Sequence, residues 1–346
     1  MNIGDSAPDF FLPGVDGKNY SLKDFEAARV LVVVFTCNHC PTAQAYEDRL
    51  IAITREYKSS KVALVAISPN DPLAFRKDEL GYSAVEDTFE GMQIRASRKG
   101  FPFPYLYDGK DQNCSRSYGP RVTPQVFVFG QERLLRYAGR IDNGANAEKV
   151  YRHDLRMAID HLLEGTAIRS NKTKVLGCSI KWSEGRKLAA KNLALLDRET
   201  VSLKQLDRET LDFHLANKSQ LLKLFFVWSP AQPGIRESFT QLVEVHRRFR
   251  KRGVEIITIA SQKRLVEEKL MLDFLQRQHA SCRNYLHSGS SDDLLRKLNV
   301  PAETKLPFVM LVKPGGGVPL YQRGSPLDTL GLKRSILNVI GRKYSP

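Results

Sequence analysis

The sequence predicts an α/β architecture in tandem, two successive domains that each carry a central β-sheet flanked by helices. Three observations carry the prediction. Short apolar runs rich in β-branched residues alternate with amphipathic helical patterns from residue 30 onward. The same strand–helix order begins again after residue 200. Between the two passes, residues 183–200 are rich in Lys, Ala, Leu and Arg and read as a helical linker. The predicted organisation is a first domain over 1–182, the linker over 183–200 and a second domain over 201–346.

Taken in order, Val30–Phe35 is a continuous apolar run, the signature of a strand buried on both faces. After Thr36-Cys37-Asn38-His39-Cys40-Pro41, Ala45, Leu50, Ile53 and Tyr57 recur near a period of 3.6, with Arg55, Glu56 and Lys58 opposite. A second buried strand is predicted at Val62–Ile67, closed by the turn residues Ser68-Pro69-Asn70-Asp71-Pro72. Residues 73–100 read as helical and polar. Tyr105-Leu106-Tyr107 follows, then a strand at Gln125–Phe129 preceded by Thr123-Pro124, a strand near Leu134–Tyr137 and a helix from about Ala147 to Leu163. In the second pass Leu221–Val227 and Val254–Ala260 are strands and Glu237–Lys251 and 264–278 helices. Phe308–Val312 and Val318–Tyr321 form a hairpin around Lys313-Pro314-Gly315-Gly316-Gly317, and Leu327–Ile340 is the last helix. Leu196-Asp197-Arg198-Glu199-Thr200 recurs as Leu206-Asp207-Arg208-Glu209-Thr210, two copies that do not make a repeat protein.

The 346 residues are 42% hydrophobic and 26% charged, ordinary for a chain that buries a core. No apolar run approaches the roughly 20 residues of a membrane span. The opening Met1-Asn2-Ile3-Gly4-Asp5 lacks the basic and apolar regions of a signal peptide, so the expected location is the cytoplasm. Five cysteines, at 37, 40, 114, 178 and 282, are too few and too uneven for a disulfide framework. Net charge is +15, of which +2 falls on residues 1–180 and +13 on 181–346. The densest basic run, Arg247–Arg252, ends a predicted helix, where cations satisfy carbonyls and the helix dipole without any partner. Interleaved aromatics are sparse there, so nucleic acid is not an expected partner, and without a membrane-length apolar run neither is a membrane.

The chemistry is carried by Cys37-Asn38-His39-Cys40-Pro41 at the passage from a buried strand into a helix. A sulfur at a helix N-terminus is favoured as thiolate by unpaired amides and the dipole, and this place is expected for Cys37. Two-residue spacing lets Cys40 attack a mixed disulfide on Cys37, and Pro41 suits the first helical turn. His39 is expected to favour the thiolate further; the alternative is a solvated residue at the helix start that tunes nothing. Half of a zinc site is the bland reading of the pair, with His39 or Cys178 completing it. No second Cys-x-x-Cys occurs, and His39 between the cysteines is badly placed to share their metal. Metal ligands are therefore not predicted. Cys178, in Gly177-Cys178-Ser179-Ile180-Lys181-Trp182, is either a third redox thiol that exchanges with the dithiol or a small buried hydrophobe. Cys114 and Cys282 have no partner motif and read as incidental.

This pattern resembles the thioredoxin superfamily over much of residues 1–182. More narrowly it resembles the peroxiredoxin-like redoxins of the AhpC/TSA group. The marks are Gly4–Phe10, the Cys37–Pro41 motif, Ser68–Asp71, Phe103–Asp108, Gly139–Asp142 and Gly177–Trp182. The resemblance implies tandem thioredoxin-like folds with central mixed sheets, and a cis proline at Pro124 that packs on the dithiol and offers a substrate edge. It draws Thr36, Asn38 and Thr123 in as further candidate site residues beside Cys37, His39, Cys40, Pro124 and Cys178. Two departures stand out. The Pro-x-x-x-Thr-x-x-Cys pattern of peroxiredoxins is absent, since counting back from Cys40 finds Cys37 and Val33, and from Cys37 finds Val34 and Val30. The buried acid that thioredoxins place six residues before the first cysteine is Leu31 here, so the expectation is either slower proton transfer or a route through His39 or water.

Residues 201–346 resemble the thioredoxin-like reductases of cytochrome maturation. Trp228, Arg236 and Glu237 stand where that family has them, but Gln232 and Ile235 replace its two cysteines, and Leu306-Pro307 takes the cis-proline place. The resemblance implies a preserved fold without dithiol chemistry, used for binding, positioning or stabilising. The functional expectation is a thiol–disulfide oxidoreductase without organic cofactor, acting on protein or small-molecule disulfides with a thiol electron donor. Its alternatives are a thiol peroxidase, a redox-regulated binding or scaffold protein and, more distantly, a metal-binding module.

Overall fold

The computed structural model describes residues 1–109, 111–261, 268–301, 303–324 and 327–341. The chain divides into two compact units. Among the described residues, the first comprises Met1–Phe75 and Val85–Ala189, and the second Arg76–Ala84 and Ala190–Gly341. Each unit has the predicted class, a central mixed sheet flanked by helices, and the two are tandem thioredoxin-like folds.

The first unit opens with a small hairpin, β1 (Phe11–Pro13) and β2 (Asn19–Ser21). Then come β3 (Val30–Phe35), α1 (Pro41–Glu56), β4 (Val62–Ser68), α2 (Phe89–Lys99), β5 (Tyr105–Tyr107) and α3 (Asn113–Tyr118). They are followed by β6 (Val122–Thr123), β7 (Gln125–Phe129), β8 (Leu135–Gly139), α4 (Asp154–Glu164) and β9 (Cys178–Ser179). The sheet runs β5-β4-β3-β7-β8, with β3 parallel to β4 and antiparallel to β7. Strand β3 is buried on both faces because successive side chains alternate. Val30, Val32 and Val34 pack with Leu50, Ile53, Met92, Leu155 and Ile159, while Leu31, Val33 and Phe35 pack with Tyr118, Phe127 and Phe129. A separate two-stranded ladder pairs β6 with β9 antiparallel, Thr123 opposite Cys178.

In the second unit α5 (Arg186–Asp197), which begins in the first, leads to β10 (Lys204–Gln205), α6 (Arg208–Ala216), β11 (Leu222–Trp228) and α7 (Ile235–Phe249). After these come β12 (Val254–Ser261), α8 (Glu268–Arg277), β13 (Arg283–His287), α9 (Ser291–Lys297), β14 (Phe308–Val312), β15 (Tyr321–Arg323) and α10 (Thr329–Ile340). The order is β10-β13-β12-β11-β14-β15, with β14 antiparallel to both of its neighbours, β11 and β15. Leu222, Leu224, Phe226 and Trp228 face α7, α8 and α10; Phe225 and Val227 face α6 and α9.

Several expectations are revised. Residues 73–100 are helical only over α2. Pro72–Ala74 and Lys77–Leu80 are single 3-10 turns, and Thr88 caps α2 by accepting from Gly91 N. The first part of the predicted 147–163 helix is one short turn, Ala147–Lys149, and the helix starts at Asp154. The outer strand of the last hairpin lies at Tyr321–Arg323 rather than Val318–Tyr321, since Pro319 offers no amide to a ladder. The predicted 264–278 helix is seen from Glu268; residues 262–267 lie outside the described residues. The two Leu-Asp-Arg-Glu-Thr copies do different work. Asp197 ends α5 and pairs with Arg247 at 2.7 Å, whereas Asp207 caps α6 by accepting from Thr210 N at 2.7 Å.

Candidate functional site: three thiols and a buried histidine–aspartate pair

Strand β3 delivers the chain into a tight turn and α1 carries it away. Because proline fits a helix only in its first turn, Pro41 starts α1 and makes Cys40 the N-cap. The sequence expectation placed Cys37 at the helix N-terminus; the structure places Cys40 there and leaves Cys37 three residues upstream. The Cys40 sulfur accepts from Ala43 N at 3.5 Å, and its thiol reaches the Thr123 carbonyl at 3.2 Å. Cys37 Sγ lies 3.0 Å from Thr123 Oγ1. Thr123 precedes a cis peptide to Pro124, as the resemblance implied.

Cys178 closes the group. Its strand β9 pairs with Thr123, and it packs against Cys37, Cys40 and Ala43. Gly177 makes this approach feasible: a Cβ there would overlap the Thr123 carbonyl. Cys37 and Cys40 are only 2% and 0% exposed, whereas Cys178 is half-buried. Burial alone would push the Cys40 thiol up. Hydrogen bonds from Cys178 and Cys37, the field of His39 and the Ala43 amide outweigh it and hold Cys40 well below an ordinary cysteine. Burial, the sulfur of Cys40 and the field of Asp87 push Cys37 the other way. For Cys178 the hydrogen bond to Cys40 comes first and burial second, and both raise it. Of the three thiols, Cys40 is the one whose surroundings favour the thiolate.

The turn between the cysteines is held from below by Asp87, which sequence reasoning missed. Fully buried, this carboxylate accepts from Asn38 N at 2.7 Å, His39 N at 3.0 Å and Asn70 Nδ2 at 2.7 Å, and pairs with His39 Nδ1 at 2.7 Å. Burial pushes its pKa up, but His39 and the amides win and it lies below the usual value. His39 is 3% exposed and packs edge-on against Phe75 at 4.7 Å, which overturns the alternative of a solvated helix-start residue. Asn38 is a pin: its amide donates to Glu86 O and its carbonyl accepts from Gln44 Nε2. Thr36 continues the sheet, donating its amide to Ile67 O at 2.9 Å. Asn70 also accepts from Lys181 N at 2.8 Å, tying the Cys178 segment to the same carboxylate.

Leu31, the place without an acid, is buried among Phe127 and Phe129. The acid instead arrives at Asp87 from the loop before α2. Cys37 Sγ, a His39 ring nitrogen and an Asp87 oxygen all lie within 4.8 Å of one another. His39 is therefore placed nearer to a cysteine ligand set than the sequence implied, though its Nδ1 is engaged by Asp87. Cys114 lies in the core, where burial first and the field of Asp108 second raise it. Burial pushes Cys282 of the second unit up to about 12. Where a dithiol would stand in the second unit, Gly234 is the N-cap of α7, Ile235 its buried first residue, and Leu306–Pro307 is cis.

The AhpC/TSA family profile matches residues 3–138. A Mycobacterium tuberculosis H37Rv protein named "Putative peroxiredoxin Rv2521" is 37% identical over 146 residues, 41% of this chain and 79% of that one. Through its first unit the chain belongs to the AhpC/TSA family. Solved structures similar to it include a hypothetical protein of Sinorhizobium meliloti 1021, 32% identical with a TM-score of 0.48, covering 53% of this chain and 96% of that one. An uncharacterized conserved protein of Geobacillus kaustophilus is 31% identical with a TM-score of 0.47, covering 53% and 93%. Family membership points to redox enzymatic activity. Among the described residues no helix is long and apolar enough to cross a membrane.

Proposed function

We propose that the chain is a thiol–disulfide oxidoreductase in which Cys40 is the thiolate and Cys37 its protonated partner. This reverses the order read from the motif. The observation that supports it is the position of the Cys40 sulfur at the N-terminus of α1, hydrogen-bonded by neighbouring thiols. In a full cycle a client disulfide takes up two electrons and two protons to become two thiols, while two protein thiols become a disulfide. A thiol donor then reverses the protein's change. His39, oriented by Asp87, favours the negative charge on Cys40, and Thr123 with Pro124 aligns the sulfurs. Clients are protein or small-molecule disulfides. The thiol-free second unit holds or positions a client, or stabilises the fold.

The test uses the full chain with hydroxyethyl disulfide as client and reduced glutathione as donor. Turnover that disappears in Cys40→Ser supports the proposal; turnover that survives the change contradicts it.

One observation favours a second reading, the name of the 37% identical mycobacterial relative. In peroxide reduction the Cys40 thiolate would take one oxygen to become a sulfenic acid, releasing alcohol or water. A neighbouring thiol would then condense with it to a disulfide and water. Peroxide-dependent consumption of dithiothreitol distinguishes this reading.

A further inference from the structure

Two of the three clustered sulfurs are sealed from solvent, so the exchange proposed above needs an outlet. The edge at Thr123, where the resemblance implied a client strand, is already filled: β9 pairs with it antiparallel and sets Cys178 opposite Thr123. Gly177 lets that strand sit against the Thr123 carbonyl, and Lys181 N and O are tied to Asn70 and Asp71. The chain therefore presents its own cysteine where a client's would lie. Cys178 touches Cys40 on one side and is the only one of the three that reaches the surface.

We propose that Cys178 is the exchange thiol that meets clients and donors, and that the working disulfide is Cys40–Cys178, with Cys37–Cys40 an inner store. The inference rests on the dithiol-exchange reading above. An incoming thiolate RS⁻ attacks the half-exposed Cys178 sulfur. The Cys178–RS bond forms, the Cys178–Cys40 bond breaks, and Cys40 leaves with the electron pair. The helix N-terminus and adjacent thiols that hold Cys40 as thiolate make it a good leaving group. A second thiolate attacks the R sulfur, releasing RSSR and leaving Cys178 to take a proton. The two electrons carried by two thiols thus end on Cys40 and Cys178. Transfer to the store is an exchange without net redox change. Cys178 loses its proton and bonds Cys40, the Cys37–Cys40 bond breaks, and Cys37 takes the proton. Only Cys178 has to meet bulk thiol.

The experiment oxidises the full chain with oxidised glutathione, removes it, and maps disulfides by peptide-resolved mass analysis. Reduction by added reduced glutathione is then timed in the wild type and in Cys178→Ser and Cys178→Ala. The proposal expects a Cys40–Cys178 linkage in the wild type, and a Cys37–Cys40 disulfide in both variants that reduces roughly tenfold or more slowly, because its sulfurs are shielded. Cys178 free in all oxidised wild-type protein, or variants reduced as fast as the wild type, would overturn it. Should a variant not fold, the wild-type linkage alone decides. Oxidised protein with no disulfide among the three would instead overturn the exchange reading itself.

Discussion

Asp87 accepts from two backbone amides and a side-chain amide and pairs with an imidazole, so removing it leaves several buried donors without an acceptor. Asp87→Ala is expected to cost about 3 kcal/mol or more at neutral pH, measurable by urea unfolding. The folded pKa of Asp87 lies below its unfolded value of 3.8. Its stabilisation is therefore fully present above that value and is lost as pH falls through the lowered one. The gap between wild type and variant should close in strong acid; a gap independent of pH contradicts the pairing. The thiols give a second prediction at this scale. Ultraviolet thiolate absorbance at neutral pH should persist in Cys37→Ser and vanish in Cys40→Ser; the opposite pattern would return the thiolate to Cys37. Cys37, Cys40 and His39 stood out as candidates because a Cys-x-x-Cys between a buried strand and a helix carries its chemistry in its spacing, and Pro124 entered through the family resemblance. Asp87 was not. It sits in a polar stretch that reads as helix, and only the break before the Thr88 cap turns its carboxylate inward. Which cysteine caps α1 was also within reach, since Pro41 starts the helix, but the sequence reading placed Cys37 there.

At the scale of elements, the long strands were legible and the short ones were not. Val30–Phe35 and the strands after it are continuous apolar runs, and periodicity sufficed. Strands β6 and β9 are two residues each, too short for any period, yet their pairing brings Cys178 to Cys40. The signal available for β9 was Gly177, a residue without a side chain beside a cysteine. Gly177→Ala should force β9 away from Thr123, cost about 1–3 kcal/mol and reduce the yield of the Cys40–Cys178 disulfide. Thermal unfolding and disulfide mapping check both, and an unchanged melting temperature would show that the approach is looser than described. The 73–100 stretch failed for a related reason. Its polarity fits a solvated helix, but Pro72, Gly81 and the caps at Asp71 and Thr88 divide it, and residues 76–84 group with the second unit.

Across the whole molecule the same sheet plan occurs twice and the thiol cluster once. The second unit keeps the helix after β11 but begins it with Gly234 and Ile235, neither of which can become a thiolate. Its basic run is used internally. Arg247 pairs with Asp197, Arg250 with Glu199 and Lys251 with Asp78, and Arg248 and Arg252 donate to the carbonyls of Leu80, Ser83 and Gly81. This accords with the reading of that run as a helix end. His246 in the same helix is pushed down to about 4 by burial and then by Arg250, with Glu199 opposing. A histidine kept neutral stabilises fully above its unfolded pKa of 6.5, and that contribution is lost as pH falls towards 4. The loss amounts to about 3 kcal/mol. Acid unfolding of the wild type should steepen through this window and flatten in His246→Leu; identical profiles would remove His246 as the cause.

On the proposed chemistry, the sulfurs around Cys40 interconvert between thiol and disulfide. The most direct measurement equilibrates the full chain in glutathione redox buffers, quenches in acid, alkylates, and reads each cysteine by mass. The account predicts a reversible disulfide involving Cys40 with a midpoint between about −270 and −120 mV, while Cys114 and Cys282 stay reduced. Cysteines 37, 40 and 178 unpaired across the whole range would contradict it and leave the cluster as a buried structural group.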